Sequence, residues 1–110
     1  MYTASSLATA SFRLGQVVRH KEHGYRGVVY DVDPAYQGSE DWFHRNTGTR
    51  PPSKETPWYY VIVDEEDAET YVPEQNLEPD ESGEPVWHPE LDDLFLDFRD
   101  GVYVPRQLSN

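Results

Sequence analysis

At 110 residues with 36% hydrophobic content, the chain holds material for one modest core and one domain. Twenty-one Asp and Glu against nine Lys and Arg give a formal net charge of −12, which opposes phosphate backbones and anionic membranes wherever bases do not gather. The lack of Cys excludes disulfides, thiolate nucleophiles and thiolate zinc sites, and there is neither a secretory leader pattern nor an apolar run of the roughly 18 residues a spanning helix needs; the reading is of a soluble cytoplasmic protein.

Residues 1–11 are rich in Ser, Thr and Ala and predict a disordered tail, with a single domain over 12–110. Two β-rich runs follow, Val17 to His20 and Val28 to Val32, joined by Lys21, Glu22, His23 and Gly24. Gly24 fits a positive φ at the turn, and Gly27 within a strand marks a bulge or a close backbone approach. Strict alternation places Val28, Tyr30 and Val32 on one face and Gly27, Val29 and Asp31 on the other, wetter one. Ser39 to Asn46 carries helix signals: Ser39 as N-cap, Glu40 and Asp41 in the first turn, Gly48 beyond the end, with Trp42 and Phe43 as the core-facing side. Residues 47–57, with three prolines, predict a surface loop.

Trp58 to Asp64 is the strongest strand signal and, being apolar on both faces, predicts a central position. Glu69 to Pro73 returns as a shorter edge strand, followed by a 3₁₀ turn near Leu77 and an acidic linker over 78–85. The tail admits two readings. Leu91, Leu94, Phe95 and Phe98 match a helix starting at Pro89 and stopping at Gly101, while Asp100-Gly101 between FLDF and VYV matches a hairpin turn; the helix is preferred because its period is met at every position.

Catalytic signatures are lacking: there is no P-loop, nucleophile elbow, dinucleotide fingerprint or HExxH, and the expectation is a non-enzymatic module without cofactor or metal. His20 and His23 have a spacing that can clip a metal, but two turn histidines are the plainer reading, since a structural zinc site needs four ligands. The acids Asp92 and Asp93 and the run Asp64 to Asp67 read as solvated faces. Charge is informative in one place. Residues 1–30 contain a single acid, Glu22, against Arg13, Arg19, Lys21 and Arg26. The hairpin tip therefore collects Arg19, His20, Lys21, His23 and Arg26 around Tyr25, a candidate set of phosphate donors with one aromatic to meet a methyl group. With at most four cations converging, such a tip binds DNA weakly at physiological salt. Trp42, Trp58 and Trp87, where exposed, offer a protein-docking surface instead.

Taken together and in order, GQVVRH, GYRGVVYDVDP, PWYYVIVD and TYVPEQNLEPD resemble the hemimethylated-DNA-binding, or YccV-like, family, which includes heat shock protein HspQ. The resemblance runs from about Phe12 to Asp80 and falls on Gly15, Val18, Arg19, His20, Gly24, Tyr25, Gly27, Val28, Asp31, Asp33, Pro34, Trp58, Tyr59, Leu77 and Pro79. It implies an SH3-like barrel of about five antiparallel strands with one or two short helices. It also implies binding of hemimethylated duplex DNA or, as the alternative, an adaptor or specificity role for an ATP-dependent protease, and self-association as a trimer or dimer. Tyr60 departs from the pattern, standing where relatives often carry His.

Overall fold

The computed structural model describes residues 10–106. Most of the tail expected over 1–11 lies outside the described residues. Its last two residues are held in place: Ser11 N–H donates to Tyr59 Oη at 3.1 Å and to Glu74 Oε1 at 2.9 Å, and Ala10 packs against the core.

Five strands form the main antiparallel sheet: β1 (Val17–His20), β2 (Arg26–Asp33), β3 (Trp58–Val63), β4 (Glu69–Pro73) and β5 (Leu77–Pro79), in the order β4-β3-β2-β1-β5. The chain passes from one edge of this sheet to the other through a single 3₁₀ turn, Glu74–Asn76. Three residues of 3₁₀ helix cover about 6 Å, whereas five flat strands would hold their edges roughly 19 Å apart. The sheet must therefore curl strongly. This is the small, mainly β architecture that the SH3-like expectation named; β4 and β5 do not pair with each other, so the curl stops short of a closed ladder.

The alternation predicted for β2 is overturned at its centre. Val29 pairs with Val61, but Asp31 pairs with Tyr60, so Tyr30 is the extra residue of a β-bulge, and parity reverses beyond it. Val29 is fully buried rather than on a wet face, sharing a cluster with Val18, Tyr59, Val61, Val72 and Leu77, against which Val32 packs. Val28 joins Val17 and Ile62 on the opposite face, with Tyr30 beside them. Gly27 is the close approach and not the bulge: a Cβ there would lie 2.5 Å from the Ile62 carbonyl oxygen. Both faces of the sheet are thus covered, and each buried Val or Ile contributes about 1.5–3 kcal/mol.

Helix α1 (Glu40–Thr47) forms as its caps predict, with Ser39 Oγ accepting from Trp42 N–H at 3.0 Å and Phe43 buried. The preferred reading of the tail is corrected. Only Leu91–Leu94 turns once as a helix, α2, before β6 (Phe95–Arg99) and β7 (Val102–Pro105) pair as a hairpin. Asp100 and Gly101, at φ 54° and 80°, make the two positive-φ corners of that turn. The hairpin wins because an extended tail can bond to Gly15 and Gln16, the residues that lead into β1. Tyr103 N–H donates to Gly15 O, Val102 bridges Gln16, and the buried Tyr103 hydroxyl accepts from Val86 N–H at 2.7 Å and donates to Val86 O at 3.2 Å. A helix uses its backbone groups internally and offers none of this. Phe95, Tyr103 and Val86 in this way cap the Val17, Val28, Ile62 face.

Candidate functional site

The β1–β2 tip brings the six sequence-selected residues together, though with different degrees of freedom. Lys21 and His23 are exposed, while His20 is buried. His20 Nδ1 accepts two backbone N–H groups, from Glu22 and His23, at 3.1 Å each. Its ring lies between those of His23 and Tyr25, with centroids 4.5 and 5.2 Å away. Burial, reinforced by His23, holds its pKa below the ordinary imidazole value despite Glu22. His20 is therefore a neutral cap for the turn rather than a phosphate donor, and Nδ1 has no lone pair left for a metal. Tyr25 is likewise pinned: half-buried, its hydroxyl bonds Thr70 Oγ1 at 2.7 Å.

The two arginines are engaged by acids. Arg26, its side chain 18% exposed, contacts Asp64 Oδ2 at 3.0 Å and Asp80 Oδ2 at 3.1 Å, and donates to the carbonyls of Glu84 and Pro85. Arg19, 42% exposed, donates to Asp80 Oδ1 at 3.1 Å and to Gly24 O. Asp80 is thus a hub 2% exposed. Its burial works against ionisation, but hydrogen bonds from Ser82 and Arg26, with the Arg26 charge, hold its carboxyl below the usual range. Asp64, which also accepts from Trp87 N–H, and Asp80 depart from the solvated-acid and linker readings. Sequence reasoning missed them because, among twenty-one acids, nothing marks those that turn inward; only the pairing of β5 with β1 brings Asp80 beneath the hairpin.

Beside the tip a groove of about 760 Å³ runs along β4, lined by His23 and Tyr25 at one end and by α1 at the other. Its wall is aromatic: ring centroids step from Tyr30 to Tyr60 (5.9 Å), Tyr71 (4.7 Å) and Trp42 (5.9 Å). The phenol hydroxyls are all directed at carboxylates, Tyr30 to Glu69 at 2.6 Å, and Tyr60 and Tyr71 to Asp33 Oδ2 at 2.8 and 2.7 Å. Burial and then these acceptors raise all three tyrosine pKa values, so the rings remain neutral donors. Trp58 lies buried behind them, whereas Trp87 is exposed outside the groove lining, its backbone N–H bonded to Asp64. The four wall residues come from four elements, so no local pattern in the sequence could join them.

The family model for "Hemimethylated DNA-binding protein YccV like" matches residues 10–102. The chain belongs to the YccV-like family. That description names a binding activity. In this YccV-like chain most of the positions that carry the resemblance build the scaffold: Gly15 O receives Tyr103 N–H, Gly27 lets β3 approach, His20 caps the turn and Asp33 receives two phenols. No helix among the described residues is long and apolar enough to cross a membrane.

Proposed function

We propose that this YccV-like chain is a non-enzymatic cytoplasmic binding module that engages hemimethylated duplex DNA through the β1–β2 tip. The family match carries this reading. Lys21 and His23 supply the exposed donors, with Arg19 beside them, while Arg26, His20 and Tyr25 shape the tip from behind. Two phosphate contacts give a salt slope of about −1.8, a weak association with a shallow salt dependence. Titration of fully, half and unmethylated duplexes at two salt concentrations tests it: preference for the half-methylated duplex is expected, and equal binding to all three would reject it.

A second reading, favoured by the aromatic groove, is a protein-interaction module that acts as an adaptor or specificity factor for an ATP-dependent protease. A pull-down with a degradation assay tests that role; expected are a retained partner and altered turnover, and neither would be seen if the reading fails. Self-association as a dimer or trimer, which the family resemblance implies, is measured separately by light scattering, where a monomer mass would reject it.

A further inference from the structure

The aromatic wall of the groove presents rings whose hydroxyls are already engaged within the chain. Every phenol proton of Tyr30, Tyr60 and Tyr71 is directed at Glu69 or Asp33, so a ligand meets electron-rich rings with carboxylates behind them. Glu69 is itself exposed at the rim, and Glu22 lies at the end nearest the hairpin tip. Arg50 and His23 are the opposing basic groups of the lining. The connected aromatic cluster already holds one cation within the chain. Lys54 Nζ sits 4.7 Å from the Phe43 ring centroid and pairs with Glu40, and Phe43 lies in turn, at a tilt of 53°, against Trp58, which contacts Tyr71. The rings nearer the tip are the tyrosines Tyr30, Tyr60 and Tyr71, with a carboxylate at the rim, and among the described residues no cation of this chain sits over them.

We propose that this groove takes a Lys or Arg side chain presented by a partner polypeptide, seated against the faces of Tyr60 and Tyr71 and paired with Glu69. The net charge of −12 draws basic segments toward the surface, and the rings and carboxylate together favour a cation over a neutral side chain of equal length. A guanidinium is preferred to an ammonium because it stacks flat on a ring while still reaching a carboxylate. The inference deepens the protein-interaction reading and rests on it. A nucleic-acid strand is disfavoured in the same groove, since its phosphates would meet Glu22 and Glu69.

The test uses the full chain and glycine-flanked peptides with a central Arg, Lys, Gln or Glu, followed by NMR of the aromatic rings and by affinity. Expected are shifts confined to Tyr60, Tyr71, Tyr30 and Trp42, and binding of the Arg and Lys peptides about five-fold or more tighter than that of the Gln peptide. Tyr60→Leu and Glu69→Gln should each weaken the Arg peptide about three-fold or more; Glu69 lies on an exposed edge, so its variant keeps the comparison sound if Tyr60→Leu folds poorly. Equal binding of the Arg and Gln peptides would overturn the proposal, as would full binding in Glu69→Gln, or the same ring shifts produced by an oligo-dT strand instead of the Arg peptide. If a protease or its substrate is captured equally by wild type and by Glu69→Gln, the cation pocket fails while the interaction reading stands. If the Arg peptide binds as expected but no partner is captured, it is the adaptor role that fails.

Discussion

The hairpin tip and the aromatic groove are neighbours on one curled sheet, yet they handle charge in opposite ways. At the tip the cations are drawn inward, with Arg19 and Arg26 meeting at Asp80 and leaving Lys21 and His23 outside. In the groove the acids are drawn against phenols, and what faces solvent is ring surface backed by negative charge. A cluster of basic residues in a sequence is therefore not yet a basic surface, and an acidic, tyrosine-rich chain can conceal a concave site that suits a cation.

Four changes would break or sharpen this contrast. The largest effect is expected from Asp80→Ala, which removes the partner that Arg19 and Arg26 share; a loss of about 2 kcal/mol in urea unfolding is expected, less than for a fully buried broken pair, because Arg26 keeps Asp64 and Arg19 is 42% exposed. A loss well under 1 kcal/mol would mean that the arginines are free for a ligand after all. Because the Asp80 carboxyl is held low, its contribution is present above the ordinary carboxylate range and declines as pH falls through the lowered folded-state value.

His20→Ala should cost about 1–2 kcal/mol at pH 8 by leaving two backbone N–H groups unpaired. The folded state keeps His20 neutral, whereas the unfolded chain takes the proton from its ordinary value of 6.5 downward. The wild-type advantage is thus full above that value and shrinks as pH falls from it through the lowered folded value, so urea midpoints of both proteins at pH 8 and pH 5.5 should converge on acidification. Tyr71→Phe, in the groove, should cost about 1 kcal/mol, since Asp33 keeps the Tyr60 donor. Lys21→Ala should change stability by less than about 0.5 kcal/mol and flatten the salt dependence of DNA binding by about 0.9. An unchanged slope would remove the tip from the DNA reading.

Much of the scaffold was legible because local signals agreed with one another. Ser39 and Gly48 bracket α1, the doubly apolar Trp58 to Val63 run is an interior strand covered on both faces though β2 and not β3 holds the centre, and Pro73 ends an edge strand. Where two local signals competed, at residues 89–105, the helical period was the stronger in sequence and lost, since the backbone groups of Tyr103 and Val102 had partners at Gly15 and Gln16 that only the fold supplies. The candidate site divides along the same line. The tip was visible because its residues are contiguous, but its neutralisation depends on Asp80, some sixty positions from Arg19 in sequence and adjacent to it in space. The groove was not visible at all, because Tyr30, Tyr60, Tyr71 and Trp42 meet only once β2, β3, β4 and α1 have assembled.

The extra residue at Tyr30 also bears on how this chain tolerates length changes. In a regular β2 continuing from Val29, the carboxylates of Asp31 and Asp33 would fall on the side of Tyr59 and Val61, inside the densest part of the core. One inserted position sends both acids outward, where Asp33 meets Tyr60 and Tyr71, and turns Val32 inward. Deleting Tyr30 would therefore leave Val29 opposite Val61 and Asp31 opposite Tyr60, with Val32 still inward and Asp33 still outward. Deleting Asp31 with the bulge kept would instead act as a frame error at the level of side-chain direction, turning Val32 toward the groove wall and burying the Asp33 carboxylate in its place.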